Sequence, residues 1–139
     1  WGVESDIWSA PSFNELRRDG IDCERWNLLH PMDEPRVPHV AKCVMSRAGP
    51  VVAATDYMRI YADSVRPYIK KTYKVLGTDG FGRSDSRENL RRFFEVNRFY
   101  VTVAALTALA DDGVIERKVV ADAITKYGID PNKPNPTTV

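Results

Sequence analysis

The stretch YKVLGTDGFGRSDSRENLRRFF, residues 73–94, decides the fold class. It begins with Tyr73–Leu76, a short apolar run that predicts a β-strand. A glycine-rich loop, Gly77–Ser84, follows, and a helix is predicted from about Asp85 with Glu88 as its reciprocal cap. A strand that turns through glycines into a helix is the repeating unit of α/β domains.

Two further runs predict strands. Val51–Ala54 lies between Gly49-Pro50 and Thr55-Asp56, and Val3–Ala10 has Ile7 and Trp8 at its centre. Short strands alternating with helices indicate a layered α/β domain with a mostly parallel sheet. We assign residues 1–130 to this domain. Residues 131–139 contain three prolines and are predicted to form a tail.

Apolar residues at helical spacing predict the intervening helices. The first has a capping box, Ser12 with Glu15, and we expect a bend or break at Gly20. A proline-rich connector and a short helix beginning near Pro38 follow. Thr55 or Asp56 is expected to cap the next helix, which places Met58, Tyr61 and Val65 on one side and ends before Pro67. Two later helices are predicted over Phe99–Ala110 and Glu116–Tyr127, with Gly128 as the C-cap of the last.

Composition excludes several classes of function. The 20 basic and 19 acidic residues give a net charge of +1, which offers no basis for non-specific binding to nucleic acid or to an anionic membrane. The longest apolar stretch, Val101–Ala110, is half the length of about 20 residues that a membrane-spanning helix needs. We therefore predict no nucleic acid or membrane partner.

The chain has few residues suited to catalysis or metal binding. Cys23 and Cys43 lack a CxxC spacing and are interpreted as free thiols in a reducing cytoplasm, with a disulfide as the alternative. His39 and Cys43 would share one helix face and could hold one edge of a metal site, but no other ligands follow at a recognised spacing. Asp111 and Asp112 are interpreted as helix ends. The sequence supports no catalytic constellation.

The glycine-rich loop has two interpretations. Its glycines can serve the chain reversal alone, because glycine readily adopts positive φ. Alternatively, the loop and the following helix N-terminus can bind an anion or contact another domain. The spacing of Gly77, Gly80 and Gly82 matches neither common phosphate-loop motif. The candidate residues for the second interpretation are Gly80, Gly82, Arg83, Ser84, Ser86, Arg87 and Arg91.

Six stretches resemble, in order and over nearly the whole chain, the C-terminal region of the homodimeric pyruvate dehydrogenase first components. The longest, Leu76–Arg91, is the most specific, because no general physical constraint requires those sixteen residues in that order. The other five are Asp19–Asn27, Leu29–Pro31, Pro35–Pro38, Ala54–Met58 and Lys118–Ile124.

The resemblance implies a transketolase C-terminal-like domain, with three α/β/α layers around a five-stranded mixed sheet, here without its first strand-helix unit. It implies a cytoplasmic, homodimeric parent enzyme that uses thiamine diphosphate and magnesium to decarboxylate pyruvate and passes the acetyl group to the lipoyl group of dihydrolipoamide acetyltransferase. In that family the two preceding domains hold the cofactor, the metal and the catalytic residues. This chain is therefore expected to supply packing and active-site support, with binding of an anionic regulator or of the acetyltransferase as the alternative.

Overall fold

The computed structural model describes all residues, 1–139, and begins its regular structure with a long helix, α1, Phe13–Leu29. The Ser12 hydroxyl accepts a hydrogen bond from the Glu15 amide at 3.2 Å, which confirms Ser12 as the N-cap. The expected bend at Gly20 is wrong, because α1 continues through it. A Cβ at Gly20 would lie 2.2 Å from the Tyr68 ring, so the glycine serves close packing.

The two central strands are confirmed with the predicted bounds, β1, Val51–Ala54, and β2, Tyr73–Leu76. They pair in parallel, with Val51 opposite Tyr73 and Ala54 opposite Leu76. No other strand joins them, so each strand has one unpaired edge. The α/β class is confirmed, although the sheet has two strands rather than the five that the resemblance implies.

The predicted strand Val3–Ala10 is wrong. These residues form no regular structure and make no backbone hydrogen bonds with β1 or β2. Ile7 is 95% exposed, and Trp8 is 55% exposed. A strand requires a neighbour to satisfy its backbone groups, and this segment pairs with neither strand. The apolar pattern of residues 3–10 does not by itself predict whether a pairing strand is present.

Helices cover both faces of the small sheet. On one face, α1, the short helix α2, His39–Met45, and the 3₁₀ turn Arg66–Tyr68 enclose the main core. That core contains Val40, Val65, Tyr68, Ile69 and Tyr73. On the other face, α5, Arg98–Asp111, packs against both strands and against α6, Arg117–Lys126. The result is a three-layer arrangement around a two-stranded sheet.

The helix after β1, α3, extends over Arg59–Asp63 only. Neither Thr55 nor Asp56 caps it, which corrects our prediction; its N-cap is Met58, whose side chain makes no capping hydrogen bond. Met58 is 50% exposed and Tyr61 is 40% exposed, whereas Val65 is buried beyond the end of the helix. The expected common side is therefore wrong for these three residues.

Helix α4, Arg87–Phe93, begins at Ser86, whose hydroxyl accepts a hydrogen bond from the Asn89 amide at 3.3 Å. The sequence predicts a helix start at about Asp85 with Glu88 as its reciprocal cap, whereas the observed N-cap is one residue later, at Ser86. The two last helices are confirmed to within two residues. Gly128 has a φ of +60° and ends α6, as predicted, while the Ile129 amide donates to the Ile124 carbonyl at 3.1 Å.

Residues Arg87–Asp111 are long and apolar enough, by length and composition, to cross a membrane. A turn at residues 94–97 nevertheless divides this segment into α4 and α5. The 14 residues of α5 are about 21 Å long, less than the roughly 30 Å of a bilayer core. Because α5 also packs against the sheet and α6, we interpret it as a core helix.

Candidate functional site

The glycine-rich loop meets the loop that follows β1 at the carboxyl ends of the two parallel strands. The Thr78 amide donates to the Tyr57 carbonyl at 2.9 Å, and the Thr78 hydroxyl donates to the Asp56 carbonyl at 2.9 Å. In open α/β sheets, ligands and partners bind preferentially at this edge. The fold therefore places the glycine-rich loop at the edge of the sheet where ligands usually bind.

Close backbone packing joins the two loops. A Cβ at Gly77 would lie 2.7 Å from both the Arg59 nitrogen and the Tyr57 carbonyl oxygen, so only glycine fits. The Asp79 carboxylate accepts a hydrogen bond from the Arg59 amide at 3.0 Å. Asp79 thereby satisfies the first amide of α3 from another loop, which explains how α3 forms without a local side-chain cap.

A shallow cavity of about 490 Å³ opens between this loop and α4. Five of the seven predicted residues line it, and Ser84 and Ser86 do not. The lining also includes Asp56 and Thr78, which the sequence reasoning did not select. The complete lining set is Asp56, Thr78, Gly80, Gly82, Arg83, Asp85, Arg87, Leu90, Arg91 and Phe94.

The arginines of the cavity differ in their contacts. Arg91 Nη2 lies 2.9 Å from Asp56 Oδ2, and the Arg83 guanidinium lies 4.0 Å from the centre of the Phe93 ring. Arg87 makes no ion pair and is exposed. An incoming anion would therefore find Arg87 free, whereas it would compete with Asp56 for Arg91.

An internal carboxylate lies at the start of α4, beside the amides where the sequence suggested an anion. Asp85 Oδ1 accepts hydrogen bonds from the Ser86 amide at 2.6 Å and from the Asn89 side-chain amide at 2.8 Å. The hydrogen bond from Asn89, together with that from the Ser86 backbone, lowers the pKa of Asp85. Ser86 contributes its hydroxyl to the helix cap, so these groups already have partners within the chain.

His39 and Cys43 do share a helix face, with the Nε2 and Sγ atoms 3.4 Å apart. No three side chains of His, Cys, Asp or Glu come together in an arrangement that could hold a metal ion. The family resemblance assigns the magnesium site to the preceding domains, not to His39 or Cys43. Both cysteines are free thiols, and Cys23 is the buried one.

The adjacent carboxylates Asp111 and Asp112 connect α5 to the sheet. Asp111 Oδ2 accepts a hydrogen bond from Lys74 of β2 at 2.6 Å, and the Asp112 carboxylate accepts one from the Thr72 hydroxyl. Both residues lie at the end of α5, as the sequence indicated. Their role is therefore structural.

A family model described as the transketolase-like C-terminal domain matches residues 1–97. This range contains β1, β2 and the whole glycine-rich loop. It ends immediately before α5, so the helix that covers the second face of the sheet lies outside the match.

Several curated relatives match the chain beyond that range. It is 63% identical over 139 residues, all of its length, to the pyruvate dehydrogenase E1 component of Cupriavidus necator. The identity is 62% to the E1 component of Pseudomonas aeruginosa and 61% to that of Escherichia coli K12, each over 137 residues or 98% of the chain. The chain spans only 15–16% of the length of these relatives.

Proposed function

The chain belongs to the transketolase-like C-terminal domain family, and from that premise we propose that it is the C-terminal domain of a pyruvate dehydrogenase E1 component. The observation that carries this proposal is identity of 61–63% over essentially the whole chain to proteins of that name. The contact of α5 with β1 and β2 also supports treating residues 1–130 as one unit.

The parent enzyme, in this proposal, decarboxylates pyruvate oxidatively in the cytoplasm and transfers the acetyl group to a lipoyl group. Thiamine diphosphate, bound together with magnesium, would supply the carbanion stabilisation for that reaction. In the family that the chain resembles, the preceding domains hold both groups, and we propose the same arrangement for this protein. We accordingly assign no catalytic step to any residue here.

The domain itself acts as a scaffold that packs against the preceding domains and the second protomer of a homodimer. Its exposed apolar residues support this role, because monomeric surfaces rarely expose several large apolar side chains together. One group lies at the end of α1, with Leu28, Leu29 and Met32 exposed. Another lies around the start of α3, with Tyr57, Met58 and Ile60 exposed.

The test compares this chain with the complete enzyme. Incubation of residues 1–139 with pyruvate, thiamine diphosphate, magnesium and an artificial electron acceptor should give no turnover. The complete polypeptide should reduce the acceptor under the same conditions. Turnover by the chain alone would contradict the scaffold role, and an inactive complete polypeptide would contradict the assignment to this enzyme.

A second candidate function is binding of an anionic regulator or of dihydrolipoamide acetyltransferase at the glycine-arginine cavity. The unpaired Arg87 beside Arg83 and Arg91 favours it, since a free guanidinium readily recognises carboxylate or phosphate. Binding of an anionic regulator can be tested by calorimetric titration of the complete enzyme with inorganic phosphate. The titration is repeated with Arg87→Ala and with Arg117→Ala, which is the matched surface control. Heat that is lost only with Arg87→Ala supports it, and heat unchanged by that substitution excludes this cavity.

A further inference from the structure

Residues 131–138, which we call the strap, fold into successive turns. The Asp130 carboxylate accepts a hydrogen bond from the Asn132 amide at 2.8 Å. The Asn135 side-chain oxygen accepts from the Thr137 amide at 3.0 Å, and the Asn135 carbonyl accepts from the Thr138 amide at 2.9 Å. Three prolines restrict the backbone further, which lowers the entropy lost on ordering. The strap is thus structured by its own residues.

The first anchor of the strap is Lys133, which binds the end of α4. Its Nζ atom donates to the Phe93 carbonyl at 2.7 Å and lies 3.1 Å from Glu95 Oε1. The Lys133 side chain is only 24% exposed. Glu95 has a φ of +63°, which is uncommon for a residue with a side chain, so the turn that presents this carboxylate depends on surrounding contacts.

The second anchor is Pro136, which is buried against the glycine-rich loop. A Cβ at Gly80 would lie 2.3 Å from the Pro136 carbonyl oxygen. Gly80 also has a φ of +125°, a conformation that residues with side chains rarely adopt. Glycine at this position therefore permits both the turn of the loop and the close approach of the strap.

The two anchors contact opposite ends of the segment Gly80–Phe93, and this segment contains all seven predicted contact residues. At the Lys133 end, the Phe93 ring has the Arg83 guanidinium 4.0 Å from its centre and Lys133 Nζ 5.1 Å from it. We propose that the strap holds this glycine-arginine segment in a fixed conformation, with Lys133 and Pro136 as positioning residues. The segment would then meet a partner or ligand already ordered.

The test uses the complete polypeptide that carries these residues and an arginine-specific protease. Cleavage after Arg83 and Arg87 reports opening of the segment, and cleavage after Arg25, within α1, reports global unfolding. Lys133→Met keeps most of the aliphatic stem and removes both hydrogen bonds without removing a cleavage site. Lys118→Met is the matched control, since Lys118 pairs only with Asp122 on the same helix.

We expect Lys133→Met to accelerate cleavage after Arg83 and Arg87 by about fivefold or more, with cleavage after Arg25 unchanged, because local opening exposes the segment. Gly80→Ala should give the same pattern, because the added methyl group would both displace Pro136 and strain the loop. Equal cleavage rates in the parent, Lys133→Met and Lys118→Met proteins would overturn the proposal. Faster cleavage at all three arginines in Lys133→Met would overturn it as well, because the effect would then be global.

Discussion

Lys74 of β2 lies 2.6 Å from Asp111 at the end of α5, measured from Nζ to Oδ2. Arg117, at the start of α6, reaches the other oxygen of the same carboxylate at 3.2 Å. One carboxylate thus connects the sheet with α5, which covers its second face, and with α6, which packs against α5. Its hydrogen bond with Lys74 is the main cause of the lowered pKa of Asp111.

We predict that Asp111→Asn destabilises the domain at neutral pH and has little effect in strong acid. A carboxyl whose pKa is lowered by folding contributes stability above its unfolded pKa, near 3.8, and loses it as the pH falls through the lowered value. Urea unfolding at pH 7 and below pH 3 measures the difference. Asp122→Asn, which removes an ion pair within α6, is the control and should have the smaller effect at pH 7. An equal loss from both substitutions would contradict the prediction.

Gly20→Ala should lower the free energy of unfolding by about 1–3 kcal/mol, because the new methyl group would overpack the Tyr68 ring. Destabilisation by this substitution would indicate close packing at Gly20, since the same change at an exposed helix position usually stabilises a protein by about 1 kcal/mol. Chemical denaturation followed by circular dichroism measures it. Gly82→Ala, in a loop, is the control for adding a methyl group without a clash, because a Cβ there meets nothing within 4 Å. A stabilised Gly20→Ala protein would show that α1 does not pack as described.

Tyr73 should be the last tyrosine to ionise. Its hydroxyl donates to the Ala62 carbonyl at 2.7 Å inside the core, and burial raises its pKa to about 12. A phenol whose pKa is raised by folding contributes stability below its unfolded pKa, near 10, and that stability is lost as the pH rises toward 12. Titration of tyrosinate absorbance should therefore lose its latest step in Tyr73→Phe.

The same substitution should cost about 1–3 kcal/mol at neutral pH, because it leaves the Ala62 carbonyl without its partner. Tyr61→Phe, at a partly exposed ring, should leave both the latest titration step and the stability unchanged. A late step that survives in Tyr73→Phe would assign it to another tyrosine.

Cys43 should react with a thiol reagent at least about tenfold faster than Cys23. Cys23 is 7% exposed, and its burial raises the pKa of the thiol, so less of the reactive thiolate forms. Kinetics with an aromatic disulfide reagent, recorded separately for Cys23→Ser and Cys43→Ser proteins, measure each thiol alone. Faster reaction in the Cys43→Ser protein, where only Cys23 remains, would refute the assignment of burial.

Features set by neighbouring residues were predictable from the sequence. The Ser12 cap, the C-terminal Gly128 and the bounds of Val51–Ala54 and Tyr73–Leu76 all depend on local chemistry, and all are observed. The structure of Val3–Ala10 was not predictable from its sequence, because an apolar run becomes a strand only where it pairs with another strand. Sequence pattern and pairing partner are separate requirements.

In the candidate site, too, the local features were predictable from the sequence and the long-range contacts were not. Its loop and arginines were recognisable from glycine spacing and the following helix signal. The pairing of Asp56 with Arg91, 35 residues apart, and the contact of Gly80 with Pro136 arise only from the tertiary arrangement. The three prolines of residues 131–139 could have suggested a stiff segment rather than a tail, although not what it would touch.

The two-stranded sheet has a practical consequence for work with the isolated domain. The outer side of each strand pairs with no other strand, and such edges recruit further strands from neighbouring molecules. Preparations of residues 1–139 are therefore expected to self-associate into β-rich aggregates as concentration rises, and charged substitutions flanking β1 should improve their solubility.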